Sequence, residues 1–278
     1  MNRLSKILLI LVISLLFACS TAYQQPSVYE RDAQKQLERA KKAFVEGNYP
    51  KSLDYIEDAV LLANANNLPE IKIKALLQKA QLLLSLKMYN EASAVIKESK
   101  EVAEREGLQY LPYVRYSEAV YLWETGKGSE VKSVFKDIKE LPDDIKPAYH
   151  NLLALVELKF DNTKSAEEEA NAALKSAEKN KDYEQSSYAR KVLGEISLRE
   201  KKLSEAIENV KKALEIDRKT GNREALMWDL DFLGRAYKEK GEKENAFYYF
   251  YQGYELAVAI GNRAKRDYYL EQAYQLLK

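Results

Sequence analysis

Cysteine is nearly absent from this chain. Its 278 residues hold one, Cys19, so an internal disulfide is excluded and the fold must rest on packing alone. Histidine is as scarce: His150 stands by itself, with no second His or further Cys to complete a zinc site or a nucleophile–base pair. Ten glycines and six prolines are few for this length, which argues against a loop-rich chain, and no glycine-rich phosphate loop is present. Net charge is close to nil, 44 Lys and Arg against 43 Asp and Glu, so the electrostatic footprint of a nucleic-acid binder is missing. Long apolar runs are missing too. The eleven residues Ile7–Phe17, apolar apart from Ser14, fall well short of the ~20 that a membrane-spanning helix requires. What the chain has in quantity is Ala, Leu, Glu, Lys and Tyr, the last numbering 20. Such a mixture suits long helices.

Arg3 and Lys6 precede the apolar stretch and small residues follow it, the layout of a secretory signal peptide. Leu16-Phe17-Ala18-Cys19 resembles the bacterial lipobox. The resemblance implies cleavage after Ala18, a diacylglyceryl thioether on Cys19 and acylation of the new terminus. Residues 1–18 are then a cleaved signal peptide and 19–30 the lipidated cysteine with its tether. One acyl chain holds a bilayer only marginally, whereas two or three hold it stably. Loss of Arg3 and Lys6 takes the formal charge from +1 to −1. Ser20 in place of Asp implies, in an envelope of two membranes, sorting to the outer one with the domain facing the periplasm. The tether, fully extended, reaches at most ~35 Å.

From residue 31 to 278 the chain repeats itself. Turns open the segments GNYPKSLDYIEDAV (47–60), KMYNEASAVIKESK (87–100), GKGSEVKSVFKDIK (126–139), DNTKSAEEEANAAL (161–174), KKLSEAIENVKKAL (201–214) and GEKENAFYYFYQGY (241–254). Their sixth residues are Ser52, Ala92, Val131, Ala166, Ala206 and Ala246, spaced by 40, 39, 35, 40 and 40. Twelve residues ahead of these lie Ala40, Ala80, Ala119, Ala154, Gly194 and Gly234, every one Ala or Gly. Antiparallel helices approach closely only where both present small side chains. A mid-helix glycine costs ~1 kcal/mol, so Gly194 and Gly234 call for a packing reason. Four residues beyond the second small position come Ile56, Ile96, Phe135, Ala170, Val210 and Phe250, and all but Ala170 are large enough to fill the adjoining groove.

The pattern resembles the tetratricopeptide repeat, most fully at Leu233-Gly234, Tyr237, Gly241 and Ala246, and again at Leu193-Gly194 and Ala206, where Ser197 replaces the aromatic residue. That resemblance implies an all-α, right-handed α-solenoid of about six helix pairs, near 33–66, 73–106, 112–140, 147–180, 187–219 and 227–260, with a capping helix over 264–277. The short spacing around repeat three predicts a second helix about one turn short there. Asp143 and Asp144 after Pro142 read as helix-start residues.

Function in such a fold belongs to recognition. His150 falls where the register packs it, Glu167-Glu168-Glu169 reads as a solvated helix face, and neither an enzyme nor a cofactor is expected. The resemblance places positions 2, 5, 9 and 12 of each first helix on the concave face. Residue by residue these include Leu37, Phe44, Leu77 and Leu84, then Tyr113, Tyr116 and Trp123, Asn151 and Leu155, Tyr188 and Lys191, and finally Trp228, Asp231, Arg235 and Lys238. Aromatic anchors with Lys and Arg suit a peptide, the cations serving a carboxylate, although aromatics at helical spacing equally suit a core. The Asn needed at position 9 by the two-carboxylate clamp of chaperone-binding members is absent, its places taken by Val120, Leu155, Glu195 and Arg235. Phe247, Phe250, Tyr251 and Tyr254 share one helix face and are expected to pack, with Tyr249 near its margin and Tyr248 away from it. Together with Tyr268, Tyr269 and Tyr274 they leave a terminal patch for self-association as an alternative. The expected partners are proteins or peptides of the cell envelope, with the membrane engaged through Cys19 and no nucleic acid.

Overall fold

The computed structural model describes residues 27–277; the expected signal peptide and Cys19 lie outside them. Twelve α-helices follow one another among the described residues: α1 (Val28–Val45), α2 (Tyr49–Ala65), α3 (Pro69–Ser85), α4 (Tyr89–Glu106), α5 (Leu111–Glu124), α6 (Lys146–Lys159), α7 (Thr163–Asn180), α8 (Tyr183–Arg199), α9 (Leu203–Thr220), α10 (Arg223–Lys240), α11 (Lys243–Ala259) and α12 (Arg263–Leu276). Two 3₁₀ segments, Leu108–Tyr110 and Gly128–Phe135, complete the set. Substantial packing runs only between elements one or two places apart in the chain. This is the contact pattern of stacked hairpins, and the fold is an all-α array of paired, tetratricopeptide-type units closed by the C-terminal helix α12.

The helices end on a steady cadence. Positive φ angles, from 50° to 83°, occur at Gly47, Asn67 and Lys87, and again at Asp161, Lys181, Lys201, Gly221, Gly241 and Gly261. Within each run the interval is twenty residues, one helix with its turn. The strain at Lys87, Lys181 and Lys201 is offset by the main-chain closure that follows: Met88, Asp182 and Lys202 each donate to the carbonyl five residues back, at 2.9, 2.9 and 2.8 Å. Ser27, Asn48, Asp182, Asn222 and Asn262 cap the helices they precede, as when Asp182 accepts from the Gln185 amide at 3.1 Å and Asn222 from Ala225 at 3.1 Å, whereas Asn162 does not cap α7.

Inside each hairpin the small positions meet. Ala40, Ala80, Ala119, Ala154 and their partners Ser52, Ala92, Val131, Ala166, Ala206 and Ala246 are all at most 1% exposed. The closeness is direct at pair one, where the Ser52 hydroxyl donates to the Ala40 carbonyl at 2.9 Å. At Gly194 a methyl group would lie 2.6 Å from Val210 Cγ2, and at Gly234 it would lie 2.6 Å from the Phe250 ring. A third site of this kind escapes the sequence pattern: at Gly253 a methyl group would meet the Tyr269 ring at 2.8 Å. Tyr269 is fully buried and its hydroxyl donates to the Met227 carbonyl at 2.6 Å, which pins α12 to α10 as well as to α11.

Repeat three departs from expectation. Its second helix is not an α-helix one turn short but an eight-residue 3₁₀ run, Gly128–Phe135, longer than such runs usually last. The interval from Gly126 to Asp161, both at positive φ, is five residues shorter than two helix-and-turn units. A 3₁₀ helix rises ~2.0 Å per residue against ~1.5 Å, so it spans more distance with fewer residues. Val131 and Phe135 still fill their places in the core. Asp143 and Asp144 precede α6 without capping it: Asp143 holds Lys146 and Lys179 at 2.6 and 3.3 Å, and Asp144 accepts from the Tyr113 hydroxyl at 3.0 Å. The first helices begin earlier than the repeat register suggests, α1 at Val28 with Ser27 as its cap.

The C-terminal aromatics also sort differently. Phe250 and Tyr249 are buried, the latter stacked on Tyr237 with ring centres 5.5 Å apart, while Tyr251 is 43% exposed. The helix face that packs therefore runs through Tyr249 rather than Tyr251, because α12 covers the side bearing Phe250 and Gly253.

Candidate functional site: the concave trough

First helices of successive pairs line a trough on one face of the array. Its larger chamber, about 1120 Å³, is walled by Tyr116, Trp123, Leu155, Tyr188 and Trp228 with Asn151 and Lys191 in its lining. A smaller chamber of about 430 Å³ takes in Phe44, Leu77, Leu84, Tyr113 and Tyr116. The two adjoin, sharing Tyr116, Glu184 and Gln185 among their lining residues. Of the residues expected on the concave face, Leu37, Asp231, Arg235 and Lys238 line neither chamber. Leu37 is 6% exposed and belongs to the N-terminal core.

The later half of the first helix of repeat six turns to the capping helix, while Trp228 stays in the trough. Tyr268 donates to Asp231 at 2.7 Å, Asp231 also holds Arg235 at 2.9 Å, and Lys238 reaches Gln272 and Gln275 of α12 at 3.4 and 3.3 Å. Burial and the Asp231 carboxylate push the Tyr268 hydroxyl up to about 12.

Lys191 turns inward. Its ammonium is 2.6 Å from the Asp217 carboxylate and 3.7 Å from Asp229, and lies 5.7 Å from the centre of the Trp228 ring. Ser187 donates to Asp217 at 2.8 Å. Two carboxylates against one ammonium in a dry place cannot all be charged cheaply. Burial, and then the neighbouring Asp217 charge, outweigh Lys191 and push Asp229 up to about 8, so near neutral pH it keeps its proton. Asp217 and Asp229 carried no motif of their own. A weak signal was their placement on the faces of α9 and α10 that pack toward α8.

Tyr188 is 41% exposed, yet its hydroxyl is pushed up to about 12 because the ring stands inside a concavity with protein crowding it on most sides. Burial raises Tyr116 as well. Trp123 sits under the Lys159 ammonium, 5.1 Å from the ring centre. Asn151 is 2% exposed; its Nδ2 donates to the Gln185 carbonyl at 3.1 Å and to Gln185 Oε1 at 3.0 Å. His150 bonds Glu169 at 2.7 Å across the α6–α7 hairpin, a link within one pair and away from the trough. Among the described residues no group of three or more His, Cys, Asp or Glu is placed to hold a metal ion, and no helix is long and apolar enough to cross a membrane.

A solenoid of paired helices with a concave face defines the class. Residues 185–257 match the tetratricopeptide repeat family model. No curated protein matches the chain. Among solved structures, BtubC (BKLC) from P. vanneervenii is similar with a TM-score of 0.58 at 15% identity, over 85% of this chain and 93% of that one. Apo RapI gives 0.58 at 13% identity, over 88% and 70%. PilW, described as a widely conserved type IV pilus biogenesis factor, gives 0.55 at 16% identity, over 86% and 98%. At these identities the likeness is one of fold.

Proposed function

We propose that the chain is a protein-binding scaffold, tethered through lipid on Cys19 to the cell envelope at the periplasmic face of an outer membrane, where it assists assembly of an envelope complex. The observation that carries the recognition reading is the trough lined by Tyr116 and Trp123 from repeat three, Tyr188 from repeat five and Trp228 from repeat six. Large rigid aromatics in a concave, partly desolvated wall are the side chains that supply most binding energy in protein interfaces. The lipobox, and not the likeness of fold, carries the envelope reading. A second reading, a receptor for a peptide or small solute, is favoured by one feature: Tyr49 on Glu224 and Lys41 on Glu184 bridge early and late helices beside the trough.

Photo-crosslinking from position 188 or 123 in native membranes tests the scaffold. A defined protein is expected in the adduct, and Cys19→Ser is expected to release the chain from the membrane fraction. Adducts no different from background, or an unchanged membrane fraction, overturn the respective half of the proposal.

A further inference from the structure

The cations that face the trough are already engaged. Lys191 is 9% exposed and paired with Asp217 at 2.6 Å. Arg199 donates to the Leu158 carbonyl at 2.6 Å and to Asp161 at 3.1 Å. Lys159 lies over the Trp123 ring, and Lys41 pairs with Glu184 at 3.7 Å. A ligand carboxylate would have to displace one of these contacts. Taking Lys191 would strand a buried carboxylate, which proteins tolerate badly.

Not every acceptor is engaged in this way. The larger chamber presents five carboxylates, Glu124, Glu184, Glu195, Asp217 and Glu224, against three cations, in a chain whose formal charge is only +1; Lys41, Lys191 and Tyr49 hold Glu184, Asp217 and Glu224, which leaves Glu124 and Glu195. Glu195, half-buried on α8, has no hydrogen bond and no ion pair among the described residues; Arg199 and Arg235 act on it only at longer range. Asn151 Oδ1 is buried without a partner. Its orientation is unambiguous, because the other end of the amide donates to a main-chain carbonyl, which can only accept. Gln78 Oε1, lining the smaller chamber, is likewise buried and unpartnered. Unmet acceptors thus belong to residues that line the two chambers together with Tyr116, Trp123, Tyr188 and Trp228, whose ring faces carry negative potential and attract cations.

We infer that the trough is built for a cationic, hydrogen-bond-donating partner segment: an extended stretch of protein that places a Lys or Arg side chain at Glu195 and main-chain or side-chain N–H groups at Asn151 Oδ1 and Gln78 Oε1. The inference rests on the trough being the recognition surface, and it reverses the preference for a carboxylate that the groove-facing Lys and Arg suggest from sequence.

The full chain in detergent micelles is tested with fluorescein-labelled nonapeptide mixtures, each with one position fixed as Lys, Arg, Asp or Glu and the rest randomised. Fluorescence polarisation is expected to show Lys or Arg mixtures binding about fivefold or more tightly than Asp or Glu mixtures at one position or more, with the advantage shrinking as salt rises. Glu195→Gln is expected to abolish that advantage with an unchanged melting temperature, and Tyr188→Ala, at an exposed position, to weaken all mixtures alike. Equal binding of the mixtures, a preference for Asp or Glu, an advantage that survives Glu195→Gln, or no binding at all overturns the inference. The scaffold reading is judged separately: a defined protein crosslinked from position 188 or 123 would sustain it with this inference gone.

Discussion

The Tyr49 hydroxyl donates a 2.7 Å hydrogen bond to Glu224 Oε1, joining residues 175 positions apart in the chain. Beside it, Lys41 approaches Glu184 at 3.7 Å. The first turn of the solenoid is thereby clasped to the starts of α8 and α10 beside the trough. Burial, together with the Glu224 carboxylate, pushes Tyr49 up to about 12, so the phenol stays protonated and able to donate throughout the neutral range.

Polar contacts this exposed contribute only ~0.2–1 kcal/mol each, which makes the clasp reversible. Tyr49→Phe combined with Glu184→Gln is therefore expected to open the ring while leaving the hairpins intact. Spin labels at positions 51 and 223, both exposed, should report a distance distribution that broadens and lengthens, with stability changed by less than ~1 kcal/mol. A distribution identical to the parent's would mean that stacking alone sets the closure.

Gly234 makes a sharper claim on stability. Alanine is the better helix former by ~1 kcal/mol, so an exposed glycine replaced this way would stabilise. Here the added methyl would lie 2.6 Å from the Phe250 ring, which is fully buried and has nowhere to move. Overpacking of this kind costs ~1–3 kcal/mol. Gly234→Ala should lower the urea midpoint at constant slope; a raised midpoint would show that α10 and α11 are not in this register.

The buried trio of Lys191, Asp217 and Asp229 predicts a pH dependence with a definite sign. Asp229 binds its proton more tightly folded, at about 8 against 3.8 unfolded. Between those values the folded state holds more protons than the unfolded one, so stability falls as pH rises from about 4 to about 8. Asp229→Asn removes the titration. The variant should lose less stability than the parent between pH 5 and pH 8, by more than ~1 kcal/mol in chemical denaturation. Parallel profiles would show that Asp229 is ionised in the fold.

Much of the fold was legible because hairpin packing is local. Ala154 and Ala166, or Gly194 and Ala206, are twelve residues apart, and two antiparallel helices cannot approach without small residues at that spacing. Gly253 was missed because its partner, Tyr269, lies on a helix outside the repeat. Of the candidate site, the aromatics were placed in the trough and the cations were misread. Lys191 occupies a concave-face position by register, but its partners, Asp217 and Asp229, come from the next two helices, and no pattern within α8 announces them. Arg235 and Lys238 were likewise spent on contacts around the capping helix.

What the amino-acid order determined by itself is the helix, its turn and the close pairing of each hairpin, since these depend on side chains within some forty residues of one another. Only the tertiary structure decided that Tyr49 meets Glu224, that Lys41 meets Glu184, and that the free polar groups of the trough are acceptors. The reason is geometric. Small rotations between successive pairs accumulate along the solenoid, and where the first pair meets the fifth and sixth depends on their sum, which no single repeat encodes.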